Sequence, residues 1–263
     1  MAETPLFAPH WVDIEPERLA RYEKMYAWSA AAEAFYAPAR IAAGQVVADF
    51  GCGPGHTAVE LARRVGPAGH VHALDINAEF ITRTRERAEA EGLADRITAH
   101  RLIDERLPLA DATLDRVTAR NTLVYVRDPL ATLSEFRRVL KPGGLMHAIE
   151  GDWSLTAVEP LPTEEWRALV AAASWVWRTP EIGRKLYGFA RSAGFAEVTM
   201  QVLTRPDGEG RLFGMIQSVA GYARERGTLD PARIDAMLAT VERAIATRSY
   251  LAVAPQFLVT ATR

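Results

Sequence analysis

Between Val46 and Glu150, short apolar runs alternate with longer stretches in which apolar positions recur every three or four residues. The first rhythm predicts buried strands and the second predicts helices. Val46 to Phe50 predicts a strand that runs into Gly51-Cys52-Gly53-Pro54-Gly55. Thr57 to Val65 predicts a helix stopped at Gly66-Pro67. A strand follows over His70 to Ile76, then a charged helix over Ala78 to Gly92 and a short strand over Ile97 to His100. Leu114 to Arg120 predicts a fourth strand. Pro129 to Leu140 predicts a helix closed by Lys141-Pro142-Gly143-Gly144, and Leu145 to Glu150 a fifth strand. Strands alternating with helices of this length imply parallel β-α-β units.

The flanks are less regular. Ahead of the alternation, Leu19, Tyr22, Met25, Tyr26, Phe35 and Tyr36 keep helical spacing, predicting one or two helices between Glu15 and Arg40. Beyond Asp152, Leu161 to Trp177 and Pro180 to Ala193 read as helices and Glu197 to Leu203 as a strand. Residues 207–247 read as mostly helical, with Asp230-Pro231 starting the last helix. Tyr250 to Thr262 reads as a closing strand pair or one long strand. No internal repeat or low-complexity linker breaks the 263 residues, so the expectation is one domain with elaborations. These are a helical cap over 1–40, a core over 45–150, and lid insertions over 152–178 and 205–247.

Composition narrows the class. The chain is 49% hydrophobic and 24% charged, with a formal net charge of −2. That balance argues against a partner held mainly through phosphate charge. The single cysteine, Cys52, allows no intramolecular disulfide and no multi-cysteine metal site, which suits a reducing compartment. No apolar run approaches the roughly 20 residues needed to cross a bilayer. The acidic start lacks the basic-then-apolar pattern of a signal segment. The expectation is a soluble cytoplasmic protein with no metal, no membrane contact and no nucleic-acid partner, present as a monomer or homodimer.

The glycine-rich turn carries the strongest chemical signal. Glycines at a strand end let the backbone approach a ligand, and the next helix offers free N–H groups. A glycine loop alone is weak, because dehydrogenases use a related turn. Asp49 just ahead of it sharpens the reading. A carboxylate there can accept hydrogen bonds from a cationic amino group, whereas a pyrophosphate gains nothing from it. Asp75 ends the second strand about 20 residues after the loop, which suits an acid gripping the hydroxyls of a ribose. Taken alone it also fits a helix cap before Asn77-Ala78-Glu79.

Together, Val47-Ala48-Asp49-Phe50-Gly51-Cys52-Gly53-Pro54-Gly55, Ala73-Leu74-Asp75, Leu107 to Val117, Arg120-Asn121-Thr122-Leu123 and Glu135 to Gly144 follow one another in an order and spacing that resemble the class I S-adenosylmethionine-dependent methyltransferases, in particular the small-molecule branch. The likeness covers roughly residues 45–150. It implies a Rossmann-like α/β fold: a seven-stranded mixed sheet of order 3-2-1-4-5-7-6 with strand 7 antiparallel and helices on both faces. It also implies S-adenosylmethionine as cofactor and S-adenosylhomocysteine as product. Carried over, Asp49, Gly51, Cys52, Gly53 and Gly55 form the loop for the methionine part, Asp75 holds the ribose, Ile76 packs beside adenine and Asn121 offers backbone contact. One departure stands out: the family usually places an acid four residues before the Leu-Pro pair, where this chain has Ile103. Either Asp104 substitutes, or backbone groups at Ile103 and Asp104 read the adenine.

The family has no universal catalytic residue, since a sulfonium methyl is transferred by a single in-line displacement and a base is needed only when the nucleophile carries a proton. Glu150 and Asp152, ending the fifth strand, and Tyr26, in the N-terminal helix, are the candidate catalytic groups; capping or packing roles compete for each. His147, in mid-strand, reads as a core histidine, and His56 as a cap on the helix after the loop. Tyr22, Tyr125, Trp153, Trp175 and Trp177 are the candidate substrate pocket, with an anchoring role in an amphipathic lid as the alternative for the tryptophans. No Asn/Asp-Pro-Pro-aromatic motif for base or glutamine amines is present. The expected function is methyl transfer to an O, N or C nucleophile of a small-molecule metabolite. The alternatives are a non-methylating reaction on the same cofactor (decarboxylation or cyclisation) and a non-catalytic cofactor-binding protein. A nicotinamide-dependent oxidoreductase is disfavoured by Asp49 and by the Lys141-Pro142-Gly143-Gly144 turn.

Overall fold

A computed structural model describes residues 9–12, 14, 18–20, 23, 26–104 and 106–263. Seven strands form the main sheet: β1 (Val46–Phe50), β2 (His70–Asp75), β3 (Ile97–Arg101), β4 (Leu114–Arg120), β5 (Leu140–Gly151), β7 (Ala196–Leu203) and β9 (Gln256–Thr262). Their order is β3-β2-β1-β4-β5-β9-β7. The first five run parallel, whereas β9 is antiparallel to both β5 and β7. This is the expected topology, with the last strand inserted beside the fifth.

The two faces of the sheet follow from strand alternation. Val47, Val71 and Ala73 pack against α2 (His56–Val65) and α3 (Ala78–Ala90). Ala48, Phe50, Leu74, Val117 and Ala119 face the other way and join the larger core, which takes in α4 (Pro129–Val139) and α6 (Ile182–Ser192). The helix starts are chemically explicit. Asn77 accepts the Phe80 amide to begin α3, and Asp128 accepts those of Leu130 and Ala131 to begin α4. Ahead of β1, α1 (Ala30–Tyr36) starts at Ser29 and covers the first face, its Tyr36 packed on Ile149 and Leu258.

Two sequence expectations change in detail. Lys141-Pro142-Gly143-Gly144 does not separate helix from strand; β5 already begins at Leu140. The insertion appears as a register shift, with Leu114 opposite Leu140 but Arg116 opposite Leu145, and Gly143 takes φ +75°. The closing segment is two strands, not one long strand, and the two do not pair with each other. Leu251–Val253 (β8) pairs with Ala157–Glu159 (β6) in a separate two-stranded sheet, and β9 enters the main one. The remaining helices, α5 (Thr163–Ala173), α7 (Phe213–Arg226) and α8 (Pro231–Ala246), add Leu169, Ile216, Val219 and Val241 to the larger core. No described helix is long and apolar enough to cross a membrane.

Candidate active site

At the carboxyl ends of β1, β2 and β4 the described residues surround an open-sided cavity whose empty space, the adjoining open solvent included, is about 1170 Å³. Its floor is the turn after β1. The amides of Gly51 and Cys52 both donate to the carbonyl of Leu74, at 2.7 and 3.0 Å, which fastens the turn across to β2. A side chain at Gly51 would place its Cβ 2.2 Å from Thr122 Oγ1, so the turn packs directly on the segment after β4. At Gly53, where φ is +54°, a Cβ would meet nothing within 4 Å. That open space is the cavity itself.

Two buried acids frame the loop. Asp49 accepts the Thr118 hydroxyl on Oδ1 at 3.2 Å, and its Oδ2 is buried with no hydrogen-bond partner. Burial pushes its carboxyl up to about 7, only partly opposed by the Thr118 bond. Asp75 accepts the Gly53 amide on Oδ2 and the Asn77 amide on Oδ1, both at 2.9 Å. Burial raises it to about 6 against those bonds. The Ile76 amide also acts on it; since each carboxylate oxygen offers about two acceptor directions, Asp75 keeps some acceptor capacity for a ligand hydroxyl. Asn77, not Asp75, caps α3. Cys52 lies between Gly53 O and Thr84 Oγ1, and burial pushes its thiol well up, keeping it a small neutral side chain.

Asp49, Gly51, Cys52, Gly53, Asp75, Ile76, Asp104 and Asn121 of the expected cofactor set line the cavity. Gly55, also expected in this set, does not line it: it stands at the N-terminus of α2 with φ +86°, where a Cβ would meet Thr84 at 2.8 Å. Ile103 does not line the cavity: it is 76% exposed, and the neighbours Leu102, buried, and Asp104, exposed at the rim, line it instead. Asn121 adopts φ +52°, and its amide donates to Ile149 O at 2.9 Å.

The expected catalytic and substrate residues divide. Tyr26 and Tyr125 line the cavity. Tyr22 falls outside the described residues. Glu150 and Asp152 do not line it; each holds neighbouring backbone, although Glu150 Oε2 is buried with no hydrogen-bond partner among the described residues. Glu150 Oε1 accepts the amides of Thr122 and Leu123 at 2.7 and 2.6 Å. Asp152 accepts the amide and hydroxyl of Ser154 and pairs with Arg184 at 3.4 Å, capping the short turn that follows. Trp153 and Trp177 stack on each other at 4.4 Å and 24°, and Trp177 is buried in the core. Trp175 donates its indole N–H to Tyr222 O at 2.9 Å. None of the three tryptophans lines the cavity. His147 is the core histidine expected, held by Thr260 and Phe35 O and pushed by burial down to about 4. His56 does not cap its helix; it pairs with Glu23 Oε2 at 2.8 Å, as does Arg87 at 2.5 Å.

The cavity also uses residues outside the expected set. Trp11 lies beside Tyr125 at 5.1 Å and Phe80 at 6.3 Å, and Asn77 Nδ2 donates to Trp11 O at 2.9 Å. The neighbouring His10 ring meets Tyr125, Trp175 and Tyr222. Burial, with Arg18 and Arg178 adding, pushes His10 down to about 4 and keeps it neutral near pH 7. Tyr36 and Arg120 complete the wall next to Asp49. Arg120 was legible in principle, since it ends β4 directly ahead of Asn121. Trp11 was not, because it precedes any patterned helix.

A family model described as a methyltransferase domain matches residues 47–144. The ubiquinone/menaquinone biosynthesis C-methyltransferase of Xylella fastidiosa is 32% identical over 190 residues, covering 72% of this chain and 70% of that protein. Methyltransferase GfsG of Streptomyces halstedii is 34% identical over 112 residues, 43% of this chain and 40% of that one. The chain spans less than half the length of several curated relatives it matches. Among solved structures, geranyl diphosphate C-methyltransferase from Streptomyces coelicolor superposes with a TM-score of 0.59 at 18% identity, over 99% of this chain and 92% of that one.

Proposed function

The chain belongs to the class I S-adenosylmethionine-dependent methyltransferases, and from that premise we propose that it transfers a methyl group from S-adenosylmethionine to an oxygen, nitrogen or carbon nucleophile of a mid-sized metabolite. The observation that carries this reading is the unpartnered, buried Oδ2 of Asp49 at the cavity floor beside the glycine turn. Burying a carboxylate without a donor is costly, and a ligand ammonium removes that cost.

Asp49 would hold the amino group of the cofactor, and Gly51, Cys52 and Gly53 would line its path. Asp75 would take the ribose hydroxyls on its remaining acceptor directions. Ile76 and Asp104 would flank the adenine, with Leu102 in place of Ile103, and Asn121 would present backbone. When bound, the cofactor supplies a sulfonium-activated methyl group. The protein's own task is then to align and desolvate the nucleophile, an effect worth about 7–11 kcal/mol in favourable cases. Trp11, Tyr26, Phe80 and Tyr125 give the cavity aromatic walls suited to excluding water and to an apolar or aromatic acceptor. Of the three candidate catalytic groups, Tyr26 is the one placed to touch an acceptor. The helices after β5 serve as cover in this reading, reaching the rim where Trp175 and Tyr222 meet His10.

Titration calorimetry with S-adenosylmethionine and S-adenosylhomocysteine tests the cofactor. Mass spectrometry of a metabolite panel tests the reaction, the expected product being heavier by one methylene. Absence of binding by either nucleoside would sink the proposal.

A further inference from the structure

Asp49 is not the only charge on the cavity wall with an unused atom. β1 and β4 are paired so that Asp49 stands level with Thr118, and Arg120 lies two residues further along β4, on the same face and nearer the mouth. Thr118 occupies Oδ1 of Asp49 and leaves Oδ2 free. Arg120 Nε is likewise buried with no hydrogen-bond acceptor among the described residues. The guanidinium carbon lies 5.3 Å from the Phe35 ring centroid and 6.0 Å from that of Tyr26. Those rings fix the plane of the fork but supply no anion.

Arg120 is half-buried and close enough to Asp49 for its charge to act on that carboxyl, yet the buried Nε donor itself is taken by no acceptor among the described residues, and an unmet donor on a charged fork is an incomplete arrangement. Asp49 and Arg120 line the same cavity and present a free acceptor and a free donor of opposite charge. Their complement is a zwitterion carrying an ammonium and a carboxylate on neighbouring atoms. A polyanion would meet Asp49, and a plain amine would leave Arg120 unsatisfied.

We propose that Arg120 is the receptor for the carboxylate of the cofactor's amino-acid end, acting with Asp49 to select a nucleoside that carries an intact α-amino acid. This rests on the cofactor reading above. An anionic acceptor metabolite is the competing occupant of Arg120, and it predicts a different outcome.

Calorimetry on the full chain with two probes, S-adenosylhomocysteine and its decarboxylated analogue, separates these. The wild-type protein should bind S-adenosylhomocysteine at least about tenfold more tightly, since a charge-assisted hydrogen bond contributes about 1.5–3 kcal/mol. R120M should lose about ten- to a hundredfold in affinity for S-adenosylhomocysteine. Its affinity for the decarboxylated analogue should stay as in wild type, which also reports an intact site. R120K keeps the charge but not the fork, and should lose less, again with the analogue unaffected. Equal binding of both probes by the wild type overturns the assignment. So does an Arg120 variant that binds S-adenosylhomocysteine as wild type does, the result expected if Arg120 serves the acceptor, or one that loses both probes alike. If R120M does not fold, the same criteria apply to R120K. If the wild type binds neither probe, the cofactor reading itself fails, a result distinct from loss of discrimination alone.

Discussion

Glu150 Oε1 stands 2.6 Å from the backbone amide of Leu123 and 2.7 Å from that of Thr122. A carboxylate at the end of β5 thereby braces the turn after β4, where Asn121 takes a left-handed backbone conformation. The predicted consequence separates bracing from catalysis. E150A leaves two amides without their acceptor and should cost about 1–3 kcal/mol in urea unfolding, with weaker S-adenosylhomocysteine binding. E150Q keeps an acceptor oxygen and should retain both binding and turnover. A general base would lose turnover in the glutamine variant.

Asp49 gives the site a pH dependence whose sign can be worked out. Burial raises its carboxyl from 3.8 to about 7, so between those values the folded chain holds a proton that the unfolded chain has released. Its contribution to stability is complete below about 3.8, is lost as pH rises toward about 7, and is level above. His10, His72 and His147, each pushed down to about 4, oppose this over part of the same window. The test is therefore the difference in unfolding free energy between wild type and D49N across pH, which should fall through that range. S-adenosylhomocysteine affinity should rise with pH toward about 7 in the wild type and change less in D49N, where Asp75, raised to about 6, still titrates. A parallel pair of stability curves would contradict the burial argument.

The legible part of this molecule is the part where local pattern and long-range contact agree. Strand-end positions such as Asp49, Asp75 and Asn121 could be placed because a strand fixes which residue reaches the sheet edge. Asp104 could be named, but Ile103 beside it turns to solvent, a choice made by loop geometry and not by residue type. Glu150 reads as an acid facing the site, yet the neighbouring turn captures its carboxylate. That capture depends on a contact 27 residues away in sequence, between Leu123 and Glu150, which no local pattern encodes. Trp11 reaches the cavity through the Trp11 and Val12 carbonyls held by Asn77, again a contact more than 60 residues distant.

Gly51 and Gly53 should respond differently to the same change. G51A drives a Cβ to 2.2 Å from Thr122 Oγ1, so the turn or the 121–124 segment must shift. Destabilisation should exceed the roughly 1–2 kcal/mol of a left-handed non-glycine residue alone. G53A meets no atom within 4 Å, so its stability cost should stay near that backbone figure. Its Cβ enters the cavity, however, and S-adenosylhomocysteine affinity should fall clearly. Thermal melts and calorimetry of the two variants read this contrast. Similar stability losses in both would show that the Thr122 contact yields easily.

The stacked pair Trp153 and Trp177 distinguishes a core from a cage. Their rings lie 4.4 Å apart, nearly parallel, a separation that leaves no room for a ligand between them, and Trp177 is only 5% exposed. An aromatic cage would instead present open faces around a cationic guest. W177A should therefore create a cavity and cost about 3–5 kcal/mol in chemical denaturation. W153A, which removes the half-buried partner, should cost less. In both variants, measured under conditions where the protein is folded, S-adenosylhomocysteine affinity should be unchanged, because neither ring reaches the cavity around Asp49 and Asp75. Loss of acceptor turnover with full stability retained would return these tryptophans to the substrate site.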